Sequence, residues 1–515
     1  MFRFIKSRIV IPKAIIAVTF VYFFGLMLKI TLDYVPVSSN VSFLMIKQTE
    51  VTSRPEYLTI FYVHVYSSIF ALMAGFIAVF FDKSFKYLHR FSGRIYVFVT
   101  LLFSSLSGIY IGVFANGGLV SKVSFVLLGI LWFYTTYQSY IEIRKRNFLQ
   151  HKFWMWRSYA LALSAITLRM WKVILVYLFH PNPMDVYQII AWLGWIPNLL
   201  FVQYLIKKHR MRTNILAVCT IFLLLISCKK EAKPEEKGKS DSLISKKKVK
   251  QEFHKEWYGI YTGDFNSKSV PTEYGSQIDE YKKISVKLNR ITKDSVYGYS
   301  VVNGNQRPFR GIINENTLSL ILDEPGNDKS DGRFKLKMKE DSLTGDWVAF
   351  NKTAIKSPEK ILKLSRREFA YNPNFMISKD QSEGDYENPV DWNGGKVKKN
   401  SFVNDEGKTE TYENTVYRSA SDKVFEINAS KQKLTEKGLK NLRKLDLQII
   451  RNTVFARHGY SFKKETYRQF FENTDWYVPV SNNVDADLTP LEKENVALLA
   501  RLEKYAEDHY DTFGR

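Results

Sequence analysis

Six apolar stretches, near residues 11–32, 58–81, 95–114, 119–141, 159–179 and 186–206, fill the first part of the chain. Each is close to the ~20 residues that a helix needs to cross a bilayer. Helices are the expected element, because lipid offers no partner to an open backbone amide. Past residue 257 the pattern changes. Ile284-Ser285-Val286-Lys287-Leu288 alternates apolar and polar, the period of a half-buried strand. Similar runs occur at 296–299, 310–313, 318–322, 334–338 and 343–350, with turn signals at Asp294-Ser295 and Asn303-Gly304-Asn305. Short strands at this regular spacing predict an antiparallel meander, closed as a small barrel or left as a curved sheet.

Residues 366–434 are polar and broken by Pro373, Pro389 and Gly394-Gly395. They read as an irregular connector, with short strands at Val416-Tyr417 and Val424-Phe425-Glu426-Ile427. Then helical spacing returns. Leu442, Leu445, Ile449, Ile450 and Val454 predict a helix over 439–458, stopped by Gly459. A short helix is expected at 465–472. Thr489-Pro490-Leu491-Glu492 is a capping box with proline at the first helical position, and starts a last helix running to about residue 507.

Charge adds an orientation. Arg3, Lys6, Arg8 and Lys13 precede the first apolar stretch, and Lys83, Lys86, Arg90 and Arg94 come after the second. Arg144, Lys145, Arg146, Lys152 and Arg157 come after the fourth, and Lys207, Lys208, Arg210 and Arg212 after the sixth. The alternate loops carry few cations. The asymmetry predicts a cytoplasmic N-terminus and a cytoplasmic 207–212 loop. The formal net charge of +23 is therefore largely topological, and no nucleic-acid motif accompanies it. Bilayer headgroups are the expected partner of these cations.

Beyond that last cytoplasmic loop lies a seventh, shorter apolar run. Met211 and Arg212 lead into 215–226, then Ser227-Cys228. A charged start, a short apolar core and a small residue before cysteine are the marks of an export signal. The stretch resembles a bacterial lipoprotein signal, with Leu225-Ile226-Ser227-Cys228 as the lipobox and Cys228 as the lipidation site. The only other cysteine, Cys219, lies in the same run, so neither a disulfide framework nor a cysteine-based metal site is available. Residues 229–252 are rich in Lys, Glu and Ser and read as a tether too polar to bury a core.

Candidate chemistry is sparse. Arg169 lies within the fifth apolar stretch, with Lys172 one turn on, and an intramembrane cation is a functional-site candidate. The structural alternative has Arg169 bonded to backbone carbonyls inside the bundle. His64 and His180 fall at the outer face, and His89 and His151 at the inner face. Two outer and two inner imidazoles are what two b-type haems require; the alternative is four unrelated interfacial histidines.

Two local patterns carry resemblances. His89-Arg90-Phe91-Ser92-Gly93-Arg94 and His151-Lys152-Phe153-Trp154-Met155-Trp156-Arg157, with Arg169 after them, resemble an uncharacterised family of bacterial integral membrane proteins over about residues 55–205. That resemblance implies a multi-helix membrane protein. A resemblance to two-haem cytochrome b proteins rests on histidine placement alone. Phe455-Ala456-Arg457-His458-Gly459, with Trp476-Tyr477 and residues 488–495, resembles a YARHG domain over about 436–506, with phenylalanine at the first motif position. The resemblance implies an exported or surface-attached protein. Arg457 and His458 suggest a catalytic or phosphate-binding pair, but no carboxylate, serine or cysteine stands at a spacing that completes a site; the structural alternative is that they end a helix, meet its terminal carbonyls and pack beside Trp476. The strand series resembles lipocalin- or avidin-like barrels in pattern only, with a ligand or a packed interior as the alternatives.

The expected layout is a six-helix transmembrane domain (1–210), a signal-like segment or seventh helix (211–228), a tether (229–252), an antiparallel β domain (253–365), a connector (366–434) and a helical YARHG-like domain (435–508). Three functional readings stay open. One is an envelope protein with a binding or structural module and no catalysis, in contact with the bilayer or with an envelope component. The second is a haem b membrane redox protein. The third is two products, a membrane protein and a lipoprotein, read as one chain.

Overall fold

The computed structural model describes residues 2–81, 85–211, 252–268, 270–272, 275–277, 282–379, 388–405 and 407–506. The signal-like run with Cys219 and Cys228, and the tether up to residue 251, lie outside the described residues. The chain divides into two compact units.

The first unit is a helical bundle. Its elements are α1 (Phe2–Leu32), the short α2 (Gln48–Ser53), α3 (Pro55–Phe80), α4 (Lys86–Val99), α5 (Ser105–Val113), α6 (Gly118–Arg144), α7 (Phe148–Ala162), α8 (Ser164–Phe179), α9 (Pro183–Leu193) and α10 (Ile196–Met211). Among the described residues, five helices are long and apolar enough to cross a membrane: 14–32, 55–80, 86–113, 118–144 and 183–208. The fifth apolar stretch behaves differently from the single straight helix expected. It is the last turn of α7 followed by α8, and these two helices, bent by 43° at their break, make a sixth span if counted together. The break falls at Leu163, whose backbone amide still reaches Tyr159 O at 2.9 Å.

Small residues let these helices approach closely, as is usual in membranes. A Cβ on Gly75 would lie 2.5 Å from the Tyr159 ring and 2.9 Å from the Tyr96 ring. Helix α4 runs into α5 through one π turn, Thr100–Ser104, a local widening that changes which carbonyls are engaged.

The second unit opens with a closed barrel. Strands β1 (Gly259–Ser267), β4 (Lys283–Thr292), β5 (Ser295–Val302), β6 (Asn305–Asn314), β7 (Ser319–Asp323), β8 (Gly332–Lys339), β9 (Ser342–Ala349) and β10 (Glu359–Arg367) pair in the circular order β1-β10-β9-β8-β7-β6-β5-β4. All these pairings are antiparallel. A short side hairpin, β2 (Val270–Thr272) with β3 (Gly275–Gln277), interrupts the series. The alternation is visible in β8, where every second residue is buried. Closure falls to β10, a strand not singled out in the sequence, which pairs with both β9 and β1.

The expected turn at 303–305 is a two-residue hairpin with positive φ at both Asn303 (51°) and Gly304 (72°), the geometry that matches strand twist. Gly304 is confined further. A Cβ there would sit 2.8 Å from the Lys463 backbone nitrogen, and its own amide donates to Ser461 Oγ at 2.9 Å. On β4, Lys283 Nζ donates to Thr474 O at 2.9 Å and to Tyr477 O at 3.1 Å. The barrel is thus bonded to the helical region within one unit.

Residues 366–434 are more regular than a connector. Strands β11 (Val390–Val403) and β12 (Thr409–Ser419) form a long antiparallel hairpin. Gly394-Gly395, read as a breaker, sits in a register shift between Asp391 and Lys396, where glycine accommodates a bulge. The strand expected at 424–427 is instead one turn of helix, α11 (Lys423–Glu426), which buries Val424. The helix expected over 439–458 is split into α12 (Glu436–Leu439) and α13 (Lys444–Arg457). Leu442 falls in the turn between them and is buried without being helical. Helices α14 (Glu465–Arg468) and α15 (Pro490–Tyr505) are the last among the described residues.

Candidate functional site

The histidine positions come first. His64 on α3 places Nδ1 3.0 Å from Ser104 O, a carbonyl of the π turn, and 3.3 Å from Ser107 Oγ. His89, in the first turns of α4, places Nδ1 2.7 Å from Ala78 O. His151 on α7 places Nδ1 2.9 Å from Ser139 O. A carbonyl only accepts, so in each case Nδ1 donates; in the neutral ring the lone pair is then on Nε2. That is the orientation a ligating imidazole uses. His180 is different: it ends α8 in the left-handed region, φ 47°, and is exposed. Among the described residues, no group of three or more His, Cys, Asp or Glu side chains is placed to hold a metal ion.

Arg169, on α8, donates from Nη1 to Ala165 O at 2.7 Å, one turn back on its own helix. Elsewhere in the bundle, hydroxyls meet one another. Tyr96 OH and Ser158 Oγ are 2.7 Å apart, Thr136 Oγ1 and Ser158 Oγ 2.6 Å, and Trp132 Nε1 donates to Tyr96 OH at 2.9 Å. Thr136 Oγ1 also donates to Trp132 O at 2.7 Å.

The motif 455–459 lies at the end of α13, where Gly459 (φ 73°) makes the left-handed turn that stops the helix. Arg457 is buried and does not reach the terminal carbonyls of its own helix. Its Nε donates to Phe375 O at 2.6 Å and its Nη1 to Ser430 Oγ at 2.8 Å. It thereby ties down two distant segments, and the Phe375 ring stacks on Trp476 at 5.3 Å. Burial pulls its pKa down to about 10, so it stays a cation at neutral pH. Ala456 is buried, whereas Phe455 packs against the Tyr460 ring at 5.8 Å.

His458 has a carboxylate partner that its own neighbourhood in the sequence conceals. Its Nε2 lies 2.9 Å from Glu492 Oε2, the glutamate of the capping box. The same oxygen accepts from Thr489 N at 2.9 Å and Thr489 Oγ1 at 3.0 Å, while Oε1 accepts from Tyr371 OH at 2.9 Å. The Tyr371 ring stacks on His458, centroids 4.3 Å apart. Burial pushes the Glu492 carboxyl up, but hydrogen bonds from His458, Ser430, Thr489 and Tyr371 outweigh it and hold it down at about 2. Glu492 is 0% exposed and His458 6% exposed. An imidazole and a carboxylate so enclosed and so fully bonded serve as a knot joining α13, α15 and the 371–376 segment. The signal for this in the sequence was the capping box itself, whose glutamate has an oxygen to spare beyond the helix start.

The fold thus defines an integral membrane protein that carries an antiparallel barrel and a small helical module built around an Arg-His-Glu knot. Residues 61–206 match the family described as Predicted membrane protein (DUF2306), and residues 423–504 match the YARHG domain. No curated protein and no solved structure matches the chain.

Proposed function

We propose that the chain is a bacterial envelope protein whose bundle spans the cell membrane and whose barrel and YARHG module are exported, where they bind or brace rather than catalyse. The observation that carries this reading is the alternation of Lys and Arg between successive loops, which delivers Met211 to the cytoplasmic face with an export-type apolar run directly after it. The exposure of the second unit to added trypsin in spheroplasts tests it. Degradation of 252–506 in intact spheroplasts is the expected result. Protection until lysis sinks the reading.

The anchor obeys the same logic. Lipid attached at Cys228 would hold the barrel module at a membrane surface after cleavage, whether the halves begin as one chain or as two products. An intact species of 60.1 kDa in cells, without lipid on Cys228, would remove both the cleavage and the two-product reading.

A second function for the bundle is supported by a specific observation. His64, His89 and His151 each spend Nδ1 on a backbone carbonyl, leaving Nε2 for iron in a haem b protein. His180 is the remaining ligand in that reading. A Soret band in the purified protein, lost in His64→Ala, is its signature; a colourless protein with no iron ends it.

A further inference from the structure

An eight-stranded barrel is just wide enough to be filled by its own side chains or to keep one small ligand. This one is filled at one end and hollow at the other. At one end Phe253, Trp257 and Tyr258 pack against the core and shut it. At the other, where the 303–304 turn, the β7–β8 loop and the β9–β10 loop gather, a cavity of about 200 Å³ remains.

Its walls have two characters. The inner part is aromatic: Phe265, Phe334 and Trp347 all line it and are all nearly fully buried. Trp347 meets the Phe265 ring edge-on at 5.5 Å. The indole is locked, because Nε1 donates to Glu324 Oε2 at 3.1 Å. Glu324 also accepts from Gly332 N at 2.9 Å and Ser300 Oγ at 2.7 Å. Its charge is therefore spent on protein donors and does not call for a cationic ligand.

The rim is cationic. Lys282, Arg307, Lys356 and Lys360 line it, against Glu324 as the single lining carboxylate among the described residues. Arg307 is taken by Asp331 at 3.1 Å. Lys360 is buried in the wall, its Nζ 3.0 Å from Ser267 Oγ and 5.8 Å from the centroid of the Phe265 ring. Asn303, in the turn, also lines the cavity.

We infer that this pocket binds a small organic anion, a carboxylate carried on a body about the size of one aromatic ring. An apolar cavity of about 150 Å³ already holds a benzene ring, so this volume takes one ring and its head group. The ring lies among the aromatic residues and the carboxylate faces Lys356 at the rim. Apolar walls with a few convergent polar groups are the usual build of a small-molecule site. The inference rests on the barrel alone and holds whichever side of the membrane the barrel occupies.

Fluorine NMR of para-fluorobenzoate with the full chain in lipid nanodiscs tests it, with empty nanodiscs as the blank. Saturable line broadening, reversed by benzoate, is expected. The same-sized cation para-fluorobenzylamine should bind at least about tenfold more weakly, and Lys356→Glu, a change at an exposed position, should weaken the benzoate about tenfold. Ser357→Trp, which plugs the mouth, should abolish the broadening. No saturable broadening overturns the proposal. So does equal binding of the acid and the amine, or binding unchanged in a folded Lys356→Glu protein.

Discussion

The bundle and the YARHG module both bury polar side chains, and they do so by opposite means. The bundle buries mainly hydroxyls, among them Thr100, Ser104, Ser124, Thr136 and Ser158, with Lys47, Asn116 and Lys172 as exceptions. The module buries ions and amides: Asp446, Arg457, His458, Glu492 and Asn495. The difference lies in what each group can fall back on. A helix hydroxyl can fall back on a carbonyl of its own helix, as Thr136 does on Trp132 O. An ion in the module adds partners remote in sequence to its local ones, as Glu492 adds Tyr371 and His458 to Thr489. The hydroxyls are interchangeable glue, whereas the ions specify one arrangement.

The sharpest way to break this contrast is Glu492→Ala. It leaves His458 buried without its carboxylate and opens the α15 cap. A loss of about 3–5 kcal/mol is expected, the range for breaking a buried pair from one side, read as a lower denaturant midpoint for the module. A loss below about 1 kcal/mol would make the knot no stronger than a surface pair.

Acid titration comes next. The Glu492 carboxyl is depressed in the fold to about 2 from 4.5, so its contribution is complete above pH 4.5 and is lost as pH falls from 4.5 through 2. Glu472 runs the other way. Burial raises it to about 7 from 4.5, against the opposing pull of Arg468, so stability declines as pH rises from 4.5 through 7. Midpoints measured against pH should therefore peak near 4.5, and Glu492→Gln should flatten the acid limb alone.

In the bundle, Tyr96→Phe removes the hydroxyl that meets Ser158 and Trp132. The expected loss is about 0.6 kcal/mol and at most about 1.7, the span found for hydrogen bonds between membrane helices. Unfolding in mixed micelles measures it, and a loss near that of Glu492→Ala would erase the contrast. At the small end, Lys399→Ala breaks an exposed pair with Glu413 on the hairpin, and a change within about 0.5 kcal/mol is expected.

The spans, the barrel and the motif helix were legible in the sequence because each rests on a local period. The apolar runs gave the spans with no knowledge of packing, and Ile284 to Leu288 declared a strand by alternation. What was hidden depends on tertiary context. The bend at Leu163 lies inside an unbroken apolar run. The β11–β12 hairpin exposes both faces, so no alternation marks it. Val424 has a strand former's side chain, yet it is buried from a single helical turn. The His458–Glu492 contact joins residues far apart in the chain, and each had a sufficient local explanation, one as a helix end and the other as a cap. The barrel cavity is a matter of volumes left over, which no period reports.

The amide of Gly304 is one thread between the barrel and the motif-bearing part of the second unit. It belongs to a turn on the lip of the barrel cavity, and it is held by Ser461 of the motif-bearing module. Whatever fills the cavity and stiffens that lip also stiffens the module, and whatever loosens the module slackens the lip. By reciprocity, occupancy of the barrel raises the melting temperature of a domain the ligand never touches, and by the same free energy a well-folded module tightens the ligand's grip.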